Sequence, residues 1–267
     1  MDDPDLKLFL GILGVLVLGA LGWFFRDAFL PEPEAEPAIE QPLATEGEQD
    51  SGPRHPLPSS TPGESPQGEL VELPPLDDSD AFFLLEIANS FHPAFEALLV
   101  REAVIDRLVA TIDNLPRAKI VNTIRPVTPL PDAFAANDGD NDTLALGPFS
   151  YQRYDAIVAQ IYYVDIDTAY DTYQRFYPLF QKAYERLGYP NAYFNDRLVE
   201  VIDHLTATPV PEEPIVLTRP NVLYEFEDPN LEALSSGQKL MLRMGPDNAA
   251  TVKRKLEKFR ARLVDTD

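Results

Sequence analysis

Four side chains able to do proton or metal chemistry crowd into YFNDRLVEVIDHL, residues 193–205: Asp196, Glu200, Asp203 and His204. Read as a helix, the segment gathers them on one side, with Glu200 and His204 one turn apart. Carboxylates beside an imidazole at that spacing can share a metal ion or pass a proton, as a hydrolase using carboxylates requires. Yet three ligands from one straight helix rarely converge, and a catalytic carboxylate wants partial burial to move its pKa. Phe194, Leu198, Val201, Ile202 and Leu205 recur as the stripe such a helix would bury, so the acidic arc opposite is expected to face water.

The other chemical motifs are incomplete. Ser236-Gly-Gln-Lys239 matches S-x-x-K, but neither K-T-G nor S-D-N accompanies it, so a serine opening a helix suffices. Asp138, Asp140 and Asp142 imitate the first ligands of a calcium loop, yet Thr143 stands where glycine belongs and Phe149 where glutamate belongs. Nothing calls for a cofactor. Ten of the eleven tyrosines fall between Tyr151 and Tyr193. Tyr170, Tyr173, Tyr177 and Tyr184 line one side of a helix, a stripe suited to packing. Buried tyrosine must still place its hydroxyl, so the same stripe is the candidate ligand groove. The last helix carries six lysines and arginines from Lys253 to Arg262 around an apolar seam of Val252, Leu256, Phe259 and Leu263. Charge compensation on an acidic domain explains it, with anionic lipid or cell-wall polymer as the functional alternative.

The elements that must hold these residues fall into three regions. Residues 8–25, LFLGILGVLVLGALGWFF, contain no polar side chain and would span roughly 27 Å as a helix, the thickness of a bilayer core. An acidic start and the lack of an A-x-A site argue for an uncleaved anchor within residues 1–30. Lys7 and Arg26 put one cation on each flank, so charge does not set orientation; a translocated C-terminal domain is the commoner arrangement. Residues 31–75 hold eleven prolines, ten acids and one arginine, which predicts a disordered tether. Residues 76–264 read as one mainly α (α+β) domain: helices at 77–91, 93–115, 151–163, 167–188 and 193–205, and two more at the C-terminus. A hairpin around the polar loop of FAANDGDNDTLAL and two β-prone runs flanking Pro220 add a small β component. Pro178 is expected to kink its helix or start a new one.

Four strings, ATIDNLPR (110–117), YPLFQKAYERLGYPNAYFNDRLVEVIDHLTATP (177–209), RPNVLYEFEDP (219–229) and LSSGQKLMLRMG (234–245), resemble the bacterial family known as domain of unknown function 3014. The resemblance covers roughly residues 70–264 and implies an envelope-associated protein with an N-terminal anchor. It implies no activity and no catalytic residue.

A net charge of −22 speaks against nucleic acid as a partner, and the absence of cysteine excludes disulfides and thiol chemistry. Together these features predict a single-pass bacterial inner-membrane protein, anchored through residues 8–25. Its periplasmic domain is expected to be a non-enzymatic binding or scaffold module for an envelope protein or the cell wall. The alternative is an envelope hydrolase using the carboxylates of the 196–204 helix.

Overall fold

The structure, a computed structural model, describes residues 52–57, 72–91, 99–119, 124–127, 134, 136–138, 143–212, 214–220 and 223–265. The apolar run 8–25, most of the 31–75 stretch, and Asp140 and Asp142 lie outside them. Among the described residues no helix is long and apolar enough to cross a membrane.

The domain is mainly helical with a small sheet. After a 3-10 turn at Leu76–Asp78, helix α1 spans Asp80–Ser90 and α2 Val104–Asn114. Strands β1 (Asn137–Asp138) and β2 (Leu144–Ala145) precede α3 (Pro148–Tyr162), α4 (Ile166–Arg186) and α5 (Phe194–Thr206). Strands β3 (Val216–Thr218) and β4 (Glu225–Phe226), the short α6 (Pro229–Glu232), α7 (Ser236–Arg243) and α8 (Pro246–Val264) complete it.

Helices α2, α3, α4, α5 and α8 enclose the main core. Helix α8 packs on α3, α4 and α5, while α2 packs on α4 and α5. The predicted seam of Val252, Leu256, Phe259 and Leu263 is buried throughout, which places α8 at the centre. An aromatic ladder runs through the core: Phe83 meets Phe176 edge-on at 5.0 Å, and Phe180 stacks between Tyr173 and Phe194 at 5.6 and 5.9 Å. Such pairs add to area burial when offset or edge-on.

The expected hairpin forms, with Asn137 opposite Ala145 and Asp138 opposite Leu144. The runs flanking Pro220 become β3 and β4, giving an antiparallel sheet in the order β1-β2-β3-β4. Leu146, Ile215, Leu217, Phe226 and Leu242 make its own small core beneath α7.

One helix differs from expectation. Helix α2 starts at Val104, not near residue 93, and Leu99 instead pairs with Val127 in an antiparallel bridge. Ala103 adopts a left-handed conformation (φ 50°, ψ 42°), breaking the helix upstream. The Asp80 carboxylate then caps the new start, accepting from the Ala103 and Val104 N–H groups at 2.7 and 2.8 Å. Helix α4 continues through Pro178, so no new helix starts there.

Candidate functional site at the head of helix α5

Helix α5 begins where α4 tells it to. Gln181 of α4 accepts the Phe194 N–H at 2.8 Å through its side-chain oxygen, which also takes the Tyr177 hydroxyl at 3.2 Å. Its amide nitrogen donates to the Ala192 carbonyl at 2.9 Å. One glutamine thus supplies a cap that Tyr193 has no side-chain acceptor to provide. The stripe Phe194, Leu198, Val201, Ile202 and Leu205 is buried, so Asn195 and Asp196 come to rest at the rim of the core.

The opposite arc is only partly hydrated. Asp203 and Glu200 are exposed and His204 half-buried, but Asp196 is only 8% exposed and Asn195 1%. What covers them belongs to the stretch expected to be a disordered tether. Residues Gly52–Leu57, GPRHPL, lie across the first turn of α5. The Arg54 N–H donates to Asp196 Oδ2 at 2.9 Å and the His55 N–H to Oδ1 at 2.8 Å. Asn195 Nδ2 donates to the His55 carbonyl at 2.7 Å, and the Arg54 guanidinium meets Glu200 at 2.5 Å. Leu57 packs against the core. Two successive main-chain N–H groups converging on an anion form a nest, here filled by the domain's own carboxylate. These six residues are thus held by fixed hydrogen bonds and one apolar contact, which work against their ordering entropy.

The tyrosines stand behind this surface. Tyr170, Tyr173 and Tyr184 are core residues rather than groove lining, and Tyr177 is half-buried. Tyr173 nevertheless reaches the site: its hydroxyl donates to Asn195 Oδ1 at 3.1 Å, turning the amide nitrogen toward His55. Burial, then the neighbouring Tyr177 and Tyr170, push the Tyr173 phenol well above its ordinary value, so it stays a donor. Burial likewise raises Tyr177 to about 12. Tyr170 takes the Arg262 guanidinium over its ring at 4.9 Å, and Tyr184 stacks on Tyr189 at 4.7 Å.

Behind the arc, Arg197 turns inward to the buried Asp113 of α2. Its Nε lies 2.8 Å from Asp113 Oδ1, and it also donates to the Asp113 carbonyl at 2.8 Å. Its other branch approaches Glu200 at 3.3 Å. Burial works against the Arg197 charge, but Asp113 and Glu200 outweigh it and the pKa is raised.

The four residues singled out by spacing are therefore divided among different partners. Asp196 and Glu200 both engage Arg54. Asp203 pairs with Arg260 of α8, one of the contacts lying at 3.0 Å. His204 Nε2 lies 2.7 Å from Ser235 Oγ. Burial, then Arg197, holds the His204 imidazole below its ordinary value. Among the described residues no three His, Cys, Asp or Glu side chains are grouped to hold a metal ion.

The S-x-x-K pair is also split. Ser235 caps α7 in a full capping box with Gln238, Ser236 Oγ donates to the Ala118 carbonyl at 2.8 Å, and Lys239 pairs with Glu232. The basic face of α8 turns partly inward: Lys253 donates to the Thr208 carbonyl, Lys255 to the Val164 carbonyl, and Arg262 pairs with Asp167.

The GPRHPL segment is the feature that helix patterns miss. Its only sequence signal is one arginine and one histidine, side by side between prolines, in an acidic stretch. The model of a family described as protein of unknown function (DUF3014) matches residues 104–260, more than half of the chain. No curated protein and no solved structure matches.

Proposed function

The chain belongs to this family of proteins of unknown function, DUF3014, and we propose that it is a membrane-tethered, non-enzymatic binding or scaffold module of the bacterial envelope. One observation carries the binding role. The head of α5 already holds a peptide segment bent at Arg54 and His55, through a bidentate carboxylate, an oriented amide and an ion pair. Groups aimed at main-chain donors and acceptors are what peptide recognition uses. The apolar run 8–25 supports an inner-membrane anchor, and the acidic, proline-rich stretch after it supports reach into the periplasm. A carboxylate hydrolase finds less support, because Arg54 engages both Asp196 and Glu200.

The test is affinity capture on the detergent-solubilised full chain. Solubilised envelope and isolated cell wall are offered in parallel, with an Asp196→Ala chain as control. A reproducible protein or wall partner that Asp196→Ala loses is the expected result. Turnover of wall material with nothing retained in either arm would favour the hydrolase instead.

A further inference from the structure

Between Pro53 and Pro56 the chain has only two main-chain donors, since proline carries no N–H. Both go to the one Asp196 carboxylate, and the His55 carbonyl between them and Pro56 is taken by Asn195. The fourth contact reads a side chain: the Arg54 guanidinium on Glu200. A surface that satisfies a segment in this way, from residues some 140 positions distant, is built as a receptor for it. We propose that the head of α5 is a binding site for bent, proline-flanked basic peptides of the type Pro-Arg/Lys-X-Pro, and that Gly52–Leu57 is a built-in occupant which such a segment of a partner protein displaces. The proposal rests on the binding-module reading above and names its ligand.

Three physical features define the ligand class. Asp196 and Glu200 put two carboxylates against the segment, so a basic residue is favoured at the Arg54 position and an acidic one repelled. The prolines on either side carry no N–H, so the two amides between them are the main-chain donors this stretch offers to Asp196. Both prolines also lower the entropy lost on docking. The site itself is set before any ligand arrives: Tyr173 orients Asn195, and Gln181 fixes the first turn of α5.

Displacement follows from the arithmetic of tethering. Residues 58–71 connect Leu57 to Glu72, a short link that gives the built-in segment an effective concentration on the order of millimolar. Docking in cis therefore requires only weak intrinsic affinity. A partner segment with better flanking contacts competes by exceeding that threshold.

The test uses the full chain and the synthetic peptide acetyl-Gly-Pro-Arg-His-Pro-Leu-amide, titrated to about 5 mM to bracket the tethering concentration. Binding is followed by the side-chain amide resonance of Asn195. In one chain the cis segment is disabled by Arg54→Glu with His55→Pro, which reverses the charge and removes a donor. The disabled chain is expected to bind the peptide at least about tenfold more tightly than the natural chain, whose site is occupied. Adding Asp196→Asn should abolish binding, and a peptide with glutamate for arginine should bind at least about tenfold more weakly. A thermal melt checks that each variant is folded. No binding by the folded, disabled chain, or equal binding by disabled and natural chains, overturns the proposal. So does a concentration-dependent dimer in which the segment exchanges between copies without responding to peptide. A captured envelope partner combined with failure of the peptide would sink this ligand class alone and leave the binding module standing.

Discussion

Replacing Asp113 with asparagine should remove the strongest charged link between the core and the site. Asp113 is 3% exposed at the end of α2, and its carboxylate accepts from Arg197 at 2.8 Å and from Arg117 at 2.9 Å. Arg117 is half-exposed, so its pair contributes at most about 1 kcal/mol. The Arg197 contact is different, because 24% exposure leaves that guanidinium little water to fall back on. Losing the counter-charge of a buried pair costs about 3–5 kcal/mol. Arg197 keeps the Asp113 carbonyl and Glu200, which argues for the lower end, about 3 kcal/mol. At about 2–4 °C per kcal/mol for a domain of this size, Asp113→Asn should lower Tm by about 6–12 °C. Thermal unfolding of the solubilised full chain by circular dichroism reads this directly. Arg197→Met and the double variant complete a cycle, in which the coupling should exceed about 1 kcal/mol. A shift below about 3 °C, or additive single variants, would refute the view that this pair is buried and strongly coupled.

Gly245→Ala should destabilise by about 3 kcal/mol: its backbone (φ 84°, ψ 162°) is nearly glycine-only, and an added Cβ would meet the Tyr151 ring at 2.6 Å. Urea unfolding checks it, and an unchanged midpoint would contradict the strain. Ser235→Ala should cost about 1 kcal/mol in the same assay through loss of the α7 capping box. Alkaline titration followed by phenolate absorbance should find Tyr173, Tyr177 and Tyr184 still protonated when the exposed tyrosines have ionised. With Tyr177 raised to about 12, the unfolded chain gives up its proton from about pH 10 and the folded chain later. The stability from that neutral phenol is therefore lost as pH rises from 10 toward 12. A single titration step near 10 for every tyrosine would show that the core phenols are solvated.

Periodicity carried most of the fold. The stripe of α5, the seam of α8 and the hairpin around the polar loop all stand where spacing put them. The errors share a cause. The start of α2 is decided by Asp80, more than twenty residues away, which caps Val104 and permits the turn at Ala103. The covering of Asp196 is decided by Arg54 and His55. Helical spacing reports which residues share a face. It does not report what distant segment lies against that face, and each of these outcomes depends on such a segment.

The tyrosine stripe shows why packing and binding were poor alternatives to set against each other. Tyr173 is a core residue by every apolar contact of its ring, stacked on Phe180 and edge-on to Phe259. A phenol that deep needs an acceptor, and the one it finds is the Asn195 side-chain oxygen. That requirement fixes which end of the amide faces outward and places an Nδ2 donor 2.7 Å from the His55 carbonyl. The same logic holds on the far side: Asp113 needs a cation, finds Arg197, and Arg197 in turn steadies Glu200 beneath Arg54. Satisfying buried polar groups thus leaves two oriented groups at the surface as a consequence. The geometry at the head of α5 is in this way settled from within the core.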